Sequence, residues 1–132
     1  MKRVIKKFLV PIILLGIISV AIPTSVYART HYFNYELGVA LRGKTNYNLT
    51  KAQTYVYSTA NTYHRSNNKV TNPKLNYRYE LGKYKKNATA NGWQTTLNCG
   101  RINAGSYKIN VYVTSDNFGY SRYIKGNGRI AQ

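Results

Sequence analysis

The chain changes its hydrophobic rhythm once. From Phe8 to Ile22 it runs almost without a polar position and without a charge. Beyond that run apolar and polar residues alternate. Phe33, Tyr35, Leu37, Val39 and Leu41 alternate with Asn34, Glu36, Gly38, Ala40 and Arg42. Leu75, Tyr77, Tyr79 and Leu81 alternate with Asn76, Arg78 and Glu80, and Tyr107, Ile109, Val111 and Val113 with Lys108, Asn110, Tyr112 and Thr114. A period of two is what a strand with one dry face produces, because successive side chains leave a pleated backbone on opposite sides. Weaker strands are expected at 53–59, 92–99, 118–125 and 128–131. Turn formers separate them: Gly43, the stretch from Asn67 to Pro73, Asn91-Gly92, Asn103 to Gly105, and Asp116-Asn117. The best helical candidate, Lys51–Thr62, carries Tyr55, Val56, Tyr57 and Thr59, which suit a strand better. Six or seven short antiparallel strands in about 100 residues predict an all-β fold, a small antiparallel β-sandwich of immunoglobulin-like type. The alternative is a small β-barrel.

The first run has a different meaning. Lys2, Arg3, Lys6 and Lys7 precede it, and Pro23 and Val26-Tyr27-Ala28 follow. A positive start, a short apolar core and a small-residue exit are the pattern of a secretory signal peptide cut after Ala28. The 15 residues from Phe8 to Ile22 fall short of the roughly 20 that a membrane-spanning helix needs. The expected organisation is therefore a signal peptide over 1–28 and one β-sandwich domain over 29–132, secreted and extracellular, free or associated with the cell surface, with no stable span after cleavage.

Export changes how the charge is read. The chain has 20 Lys and Arg against three acids, a net of +17. The leader holds four of the cations and none of the acids, so +17 falls to +13 beyond it. An A/T-rich genome would enrich Lys, Asn and Tyr, but it would enrich Glu as well, and Glu36 and Glu80 are the only two. Such a field draws in polyanions. Outside a cell these are wall polymers, lipid head groups, acidic polysaccharides and stray nucleic acid. No sequence-reading nucleic-acid motif is present. Cys99 is the single cysteine, so no internal disulfide forms, and its alternating apolar neighbours predict a buried thiol.

Catalytic chemistry is thinly supplied. Glu36 and Glu80 sit in a repeated Tyr-Glu-Leu-Gly (35–38 and 79–82) and could serve a small secreted hydrolase as paired carboxylates. Cross-strand pairing with Lys or Arg explains them more simply. If the repeat is meaningful it marks equivalent strands, one per sheet. His31 and His64 look like surface residues, Asp116 like a turn former, and Gly126-Asn127-Gly128 like an ordinary turn. No spaced His and Cys cluster predicts a metal, and no cofactor motif appears.

Binding chemistry is better supplied. Tyr35, Tyr77, Tyr79 and Tyr107 share a face with aliphatic residues and are expected in the core, as is Trp93. Other tyrosines lie among cations. The candidate anion-binding residues are Lys83, Tyr84, Lys85, Lys86, Lys108, Tyr112, Arg122, Tyr123 and Lys125. A ring beside a cation can stack on a sugar while the cation meets an anionic group. The expected function is a secreted, non-enzymatic protein that binds anionic envelope or extracellular polymers. A secreted antimicrobial, bacteriocin-like toxin is the alternative, although the amphipathic helix of many membrane-active peptides is missing.

Overall fold

The computed structural model describes residues 29–115 and 121–132. The expected signal peptide with its cleavage point at Ala28 lies outside them, as does Asp116. The described residues form ten strands and no helix. These are β1 (Thr30–Leu37), β2 (Ala40–Arg42), β3 (Tyr47–Leu49), β4 (Gln53–His64), β5 (Asn76–Leu81), β6 (Tyr84–Thr89), β7 (Asn91–Arg101), β8 (Gly105–Tyr107), β9 (Ile109–Val113) and β10 (Arg122–Ala131). All pairings are antiparallel. Sheet A has the order β1-β10-β4-β7 and sheet B the order β2-β9-β5-β6, while β3 and β8 form a short ribbon.

The sheets face each other across one core and do not close into a barrel: each ends in edge strands, β1 and β7 in one, β2 and β6 in the other. The strand order also corrects the immunoglobulin-like expectation. That arrangement keeps its first two strands side by side and splits seven strands four and three. Here β1 and β2 lie in different sheets, and β1 lies beside the last strand, β10. Among the eight strands of the two sheets, only the β5–β6 hairpin joins sheet neighbours, and every other connection crosses between sheets. Four-plus-four sheets wound this way are a jelly roll. Alternation tells which side chains are dry, but both arrangements alternate alike, so the pattern could not choose between them.

Several boundaries moved for local reasons. The alternation from Phe33 to Leu41 breaks at Gly38-Val39, where the chain leaves sheet A for sheet B and Val39 is left exposed. The basic stretch after Gly82 is strand β6, paired residue for residue with β5. Gly126-Asn127-Gly128 is no turn; it lies in the middle of β10. Its glycines face the core under two aromatic rings. A Cβ on Gly128 would sit 2.3 Å from Phe33 Cζ, and one on Gly126 would sit 2.6 Å from Tyr35 Cζ. Their missing side chains are what lets Phe33 and Tyr35 lie across β10.

The core is built from Leu, Ile, Val and a layer of tyrosines. Tyr35, Tyr77 and Tyr79 are all buried. A buried hydroxyl without a partner is costly, and here each has one. Tyr35 Oη lies 2.7 Å from Ser58 Oγ, which lies 3.1 Å from Tyr77 Oη. Tyr79 Oη lies 3.1 Å from Thr95 Oγ1. These bonds link β5 of sheet B to β4 and β7 of sheet A, so the polar layer also fixes how the sheets are stacked. Cys99 is buried, and burial pushes its thiol up to about 11, which leaves it an unreactive thiol. Among the described residues no helix is long and apolar enough to cross a membrane.

Candidate binding faces

Register decides which side chains leave the molecule together. On sheet A the outward residues of β1 are Tyr32, Asn34 and Glu36; their direct neighbours on β10 are Arg129, Asn127 and Lys125. These continue on β4 as Tyr57, Thr59 and Asn61, and β7 adds Thr96 and Gln94. A fourth row pairs Tyr123 with Tyr63. The rows have distinct chemistry. The first stacks Arg129 on Tyr57, with Cζ 4.2 Å from the ring centroid, beside a largely exposed Tyr32. The second, Asn34-Asn127-Thr59-Gln94, is all amide and hydroxyl. The third sets Glu36 opposite Lys125. In the fourth, Tyr63 and Tyr123 stack with centroids 5.6 Å apart, and Arg65 lies 6.0 Å from the Tyr123 ring.

Three depressions run along this face. The largest of the three, about 520 Å³, is lined by Asn34, Asn61, Gly92, Lys125, Gly126 and Asn127 among others. It shares Thr59 and Asn127 with a small hollow against Arg129, Tyr57 and Tyr32. It shares Glu36 with a third hollow at Arg65, Asn68 and Tyr123. The outer face of sheet A is thus one trough in the strand direction.

Sheet B presents a different surface. Arg78 lies over Tyr112, its register partner, with Cζ 5.2 Å from the ring centroid. Arg78 Nε lies 2.9 Å from Glu80 Oε1, an ion pair whose geometry makes no hydrogen bond. Arg42, Asn110, Glu80 and Lys85 form one outward row across the four strands. Lys83 stands at the adjoining hairpin with Nζ 5.3 Å from the Tyr84 ring centroid.

The nine candidate residues therefore do not make one site. Tyr123 and Lys125 belong to sheet A; Tyr112 and Lys85 belong to the outer face of sheet B. Lys83 and Lys108 stand where its strands turn or break, and Lys86 lies on the exposed edge strand. Tyr84 is half-buried against the core. Arg122, one residue from Tyr123 on a pleated strand, leaves on the other side, and its Nη1 donates to Pro73 O. Sequence reasoning missed Tyr32, Tyr57, Tyr63 and Arg129. Tyr57 and Arg129 are 72 positions apart, and only the β4–β10 register brings them together.

Trp93 also departs from expectation: it is 76% exposed. Thr59 pairs with Gln94 and Asn61 with Asn91, so Gly92 and Trp93 together oppose the single residue Ala60. Gly92 takes a φ of 86°. This bulge re-aims the indole, which strict alternation would have buried.

The catalytic candidates separate. The Tyr-Glu-Leu-Gly repeats do fall one per sheet, on β1 and β5. That puts Glu36 and Glu80 on opposite outer surfaces of the molecule, about 10 Å apart by the sheet spacing alone and facing away from each other. They cannot flank one bond. His31 is not a loose surface residue: its ring lies edge-on to Tyr47 at 5.6 Å, with Nε2 buried. His64 closes a local turn, Nδ1 lying 2.7 Å from Ser66 Oγ. Through β4 the two histidines stand about eight residues apart, on the order of 26 Å. Among the described residues no group of three His, Cys, Asp or Glu could hold a metal ion.

No family model matches the chain, and no curated protein matches it. Among solved structures it is similar to a family two carbohydrate esterase from Cellvibrio japonicus, at 8% identity and a TM-score of 0.36. The likeness covers 79% of this chain and about a third (34%) of that one, and at this level it carries no argument.

Proposed function

We propose that the chain is a secreted, non-enzymatic binding protein for anionic polymers of the cell envelope or extracellular matrix. The observation that carries this reading is a pair of open sheet faces, each presenting an arginine stacked on a tyrosine. Acids are scarce on both: the chain has three against 20 cations. Stacked cation and ring meet an anionic sugar or polymer with charge and surface together. Export, through the leader at 1–28, places the partner outside the cell.

The test uses purified protein beginning at Arg29 and beads carrying cell wall or an acidic polymer. Retention at 50 mM salt that falls at least tenfold by 500 mM supports the reading, since exposed charges are screened over a few ångströms at high salt. Retention that is unchanged in molar salt defeats it.

A further inference from the structure

We propose that the trough on sheet A takes an acidic glycan in which charged and uncharged rings alternate. This deepens the reading above and rests on it. The trough has Arg65 at one end and two cations on its strands, Lys125 and Arg129, four residues apart on β10, hence about 13 Å apart. Between them lies the uncharged amide and hydroxyl row of Asn34, Asn127 and Thr59. Nucleic-acid phosphates repeat every ~3.4 Å along a strand, and polyphosphate is as dense, so most of their charges would lie over neutral amides. A glycan with one carboxylate per two rings would set its charges near the cations. Its uncharged ring would lie over the amides, whose N–H and C=O groups match sugar hydroxyls.

The two cations are prepared differently. Glu36 stands opposite Lys125 in register, which puts one carboxylate close to that cation. Arg129 has no acid among its register neighbours, Tyr32 and Tyr57. Its planar guanidinium, already lying over Tyr57, can donate two hydrogen bonds to one carboxylate. Tyr32 is 76% exposed beside it and supplies a flat apolar surface for the same ring. Arg129 is therefore the anchor for the acidic ring, with Tyr32 its platform.

The experiment compares three probes by calorimetry on the protein beginning at Arg29: a hyaluronan decasaccharide, whose carboxylate occurs on every second ring; an oligogalacturonate decamer, with one on every ring; and polyphosphate of matched charge. The hyaluronan oligomer is expected to bind at least fivefold tighter than either other probe. Arg129→Gln and Tyr32→Ala are each expected to weaken it about tenfold, the scale of one lost ring or two-point contact. Tyr32 is outward and largely exposed, so its variant reads binding even if another variant unfolds. Equal or tighter binding of the denser probes, or no effect of Tyr32→Ala, overturns the alternating-glycan assignment while leaving anionic-polymer binding standing. If none of the three probes binds, both fail.

Discussion

Sheets A and B solve the same packing problem and then spend their outer faces differently. Each buries one side of four antiparallel strands against the other, and each carries an Arg directly opposite a Tyr on its outer side. On sheet B, Arg78 is drawn to Glu80, two residues along the same strand; its register neighbours are Asn87 and a single ring, Tyr112, while Arg42 and Lys85 stand in the Glu80 row. On sheet A, Arg129 stands between tyrosines, and the face holds Tyr32, Tyr55, Tyr57, Tyr63 and Tyr123. A cation already answered by a carboxylate has less to offer a ligand than one held on an aromatic ring. The contrast teaches that this protein's charge and the recognition surface proposed for it are separate features: one is spread over both faces and the hairpins, the other is a trough on one sheet.

The trough depends on backbone that sheet B does not need. Gly126 and Gly128 let Phe33 and Tyr35 lie beneath β10, and a Cβ on either would lie as close to a β4 carbonyl as to the ring. The largest expected effect follows from this. Gly128→Val forces a branched side chain into Phe33 and Tyr57 O, and it is expected to cost at least about 3 kcal/mol in urea unfolding. Lys85→Val, on an exposed position of sheet B, is expected to stay within about 0.5 kcal/mol. A tolerated Gly128→Val would mean that the two sheets are not built on different terms.

The inner faces, by contrast, share one tyrosine layer, and alkali should test it. Burial raises the Tyr35 phenol well above its ordinary value and pushes Tyr79 up to about 12 and Cys99 up to about 11. A folded-state pKa above the unfolded one means that the native state holds its proton longer. The stability tied to it is full below the unfolded pKa and is lost as pH rises toward the folded value. Cys99 acts from about pH 9 to 11, and Tyr79 from about 10 to 12. Each group contributes a slope of about 1.4 kcal/mol per pH unit within its window. Urea midpoints should therefore fall steeply between pH 10 and 12. Tyr35→Phe should flatten that fall while costing about 1 kcal/mol at pH 7, where Ser58 keeps Tyr77 as a partner. A midpoint flat to pH 12 would contradict a buried phenol layer.

Legibility from sequence followed the range of the interactions. Alternation revealed the all-β class and most dry positions: Tyr35, Leu37, Tyr77, Tyr79, Val111 and Cys99 are buried as their parity required. Parity is a local property. It could not show that Val39 begins a crossing between sheets, nor that Gly126 and Gly128 serve rings from another strand. The candidate site failed at the same point. Cations adjacent in sequence, such as Lys85 and Lys86, leave a strand on opposite sides, while Arg129 and Tyr57 share a side through register alone. Runs of basic residues mark where charge is dense, and a trough has to be read from pairing.

Salt separates the two faces. At 50 mM salt, Arg42→Glu with Lys85→Glu is expected to reduce retention on an acidic polymer about tenfold. At 500 mM the same change should shrink below about twofold, because screening removes charge contributions at exposed positions. Tyr57→Ala should keep most of its loss at both salt concentrations, since ring contact is not screened. If both variants lose their effect together, the faces differ in composition alone, and the trough adds no recognition beyond its charge.

The smallest expected effect concerns Trp93, which lies on the edge strand of sheet A. The Gly92 bulge turns it outward, so its removal opens no cavity. Trp93→Ala should change stability by less than about 0.5 kcal/mol, against the 3–5 kcal/mol typical of a buried tryptophan. Because it is the chain's single tryptophan, its emission reports directly. It should be red-shifted and fully open to acrylamide in the free protein, with little change on unfolding. Gly92→Val strains a backbone held at a φ of 86°, and its added bulk meets Asn61, part of the lining of the central depression. If this variant blue-shifts Trp93 emission and weakens glycan binding together, the bulge that exposes the indole also shapes the trough. If emission shifts and binding does not, the edge of sheet A and its face are independent, and the comparison between the sheets rests on the rows from Tyr32 to Thr96 and from Asn34 to Gln94 alone.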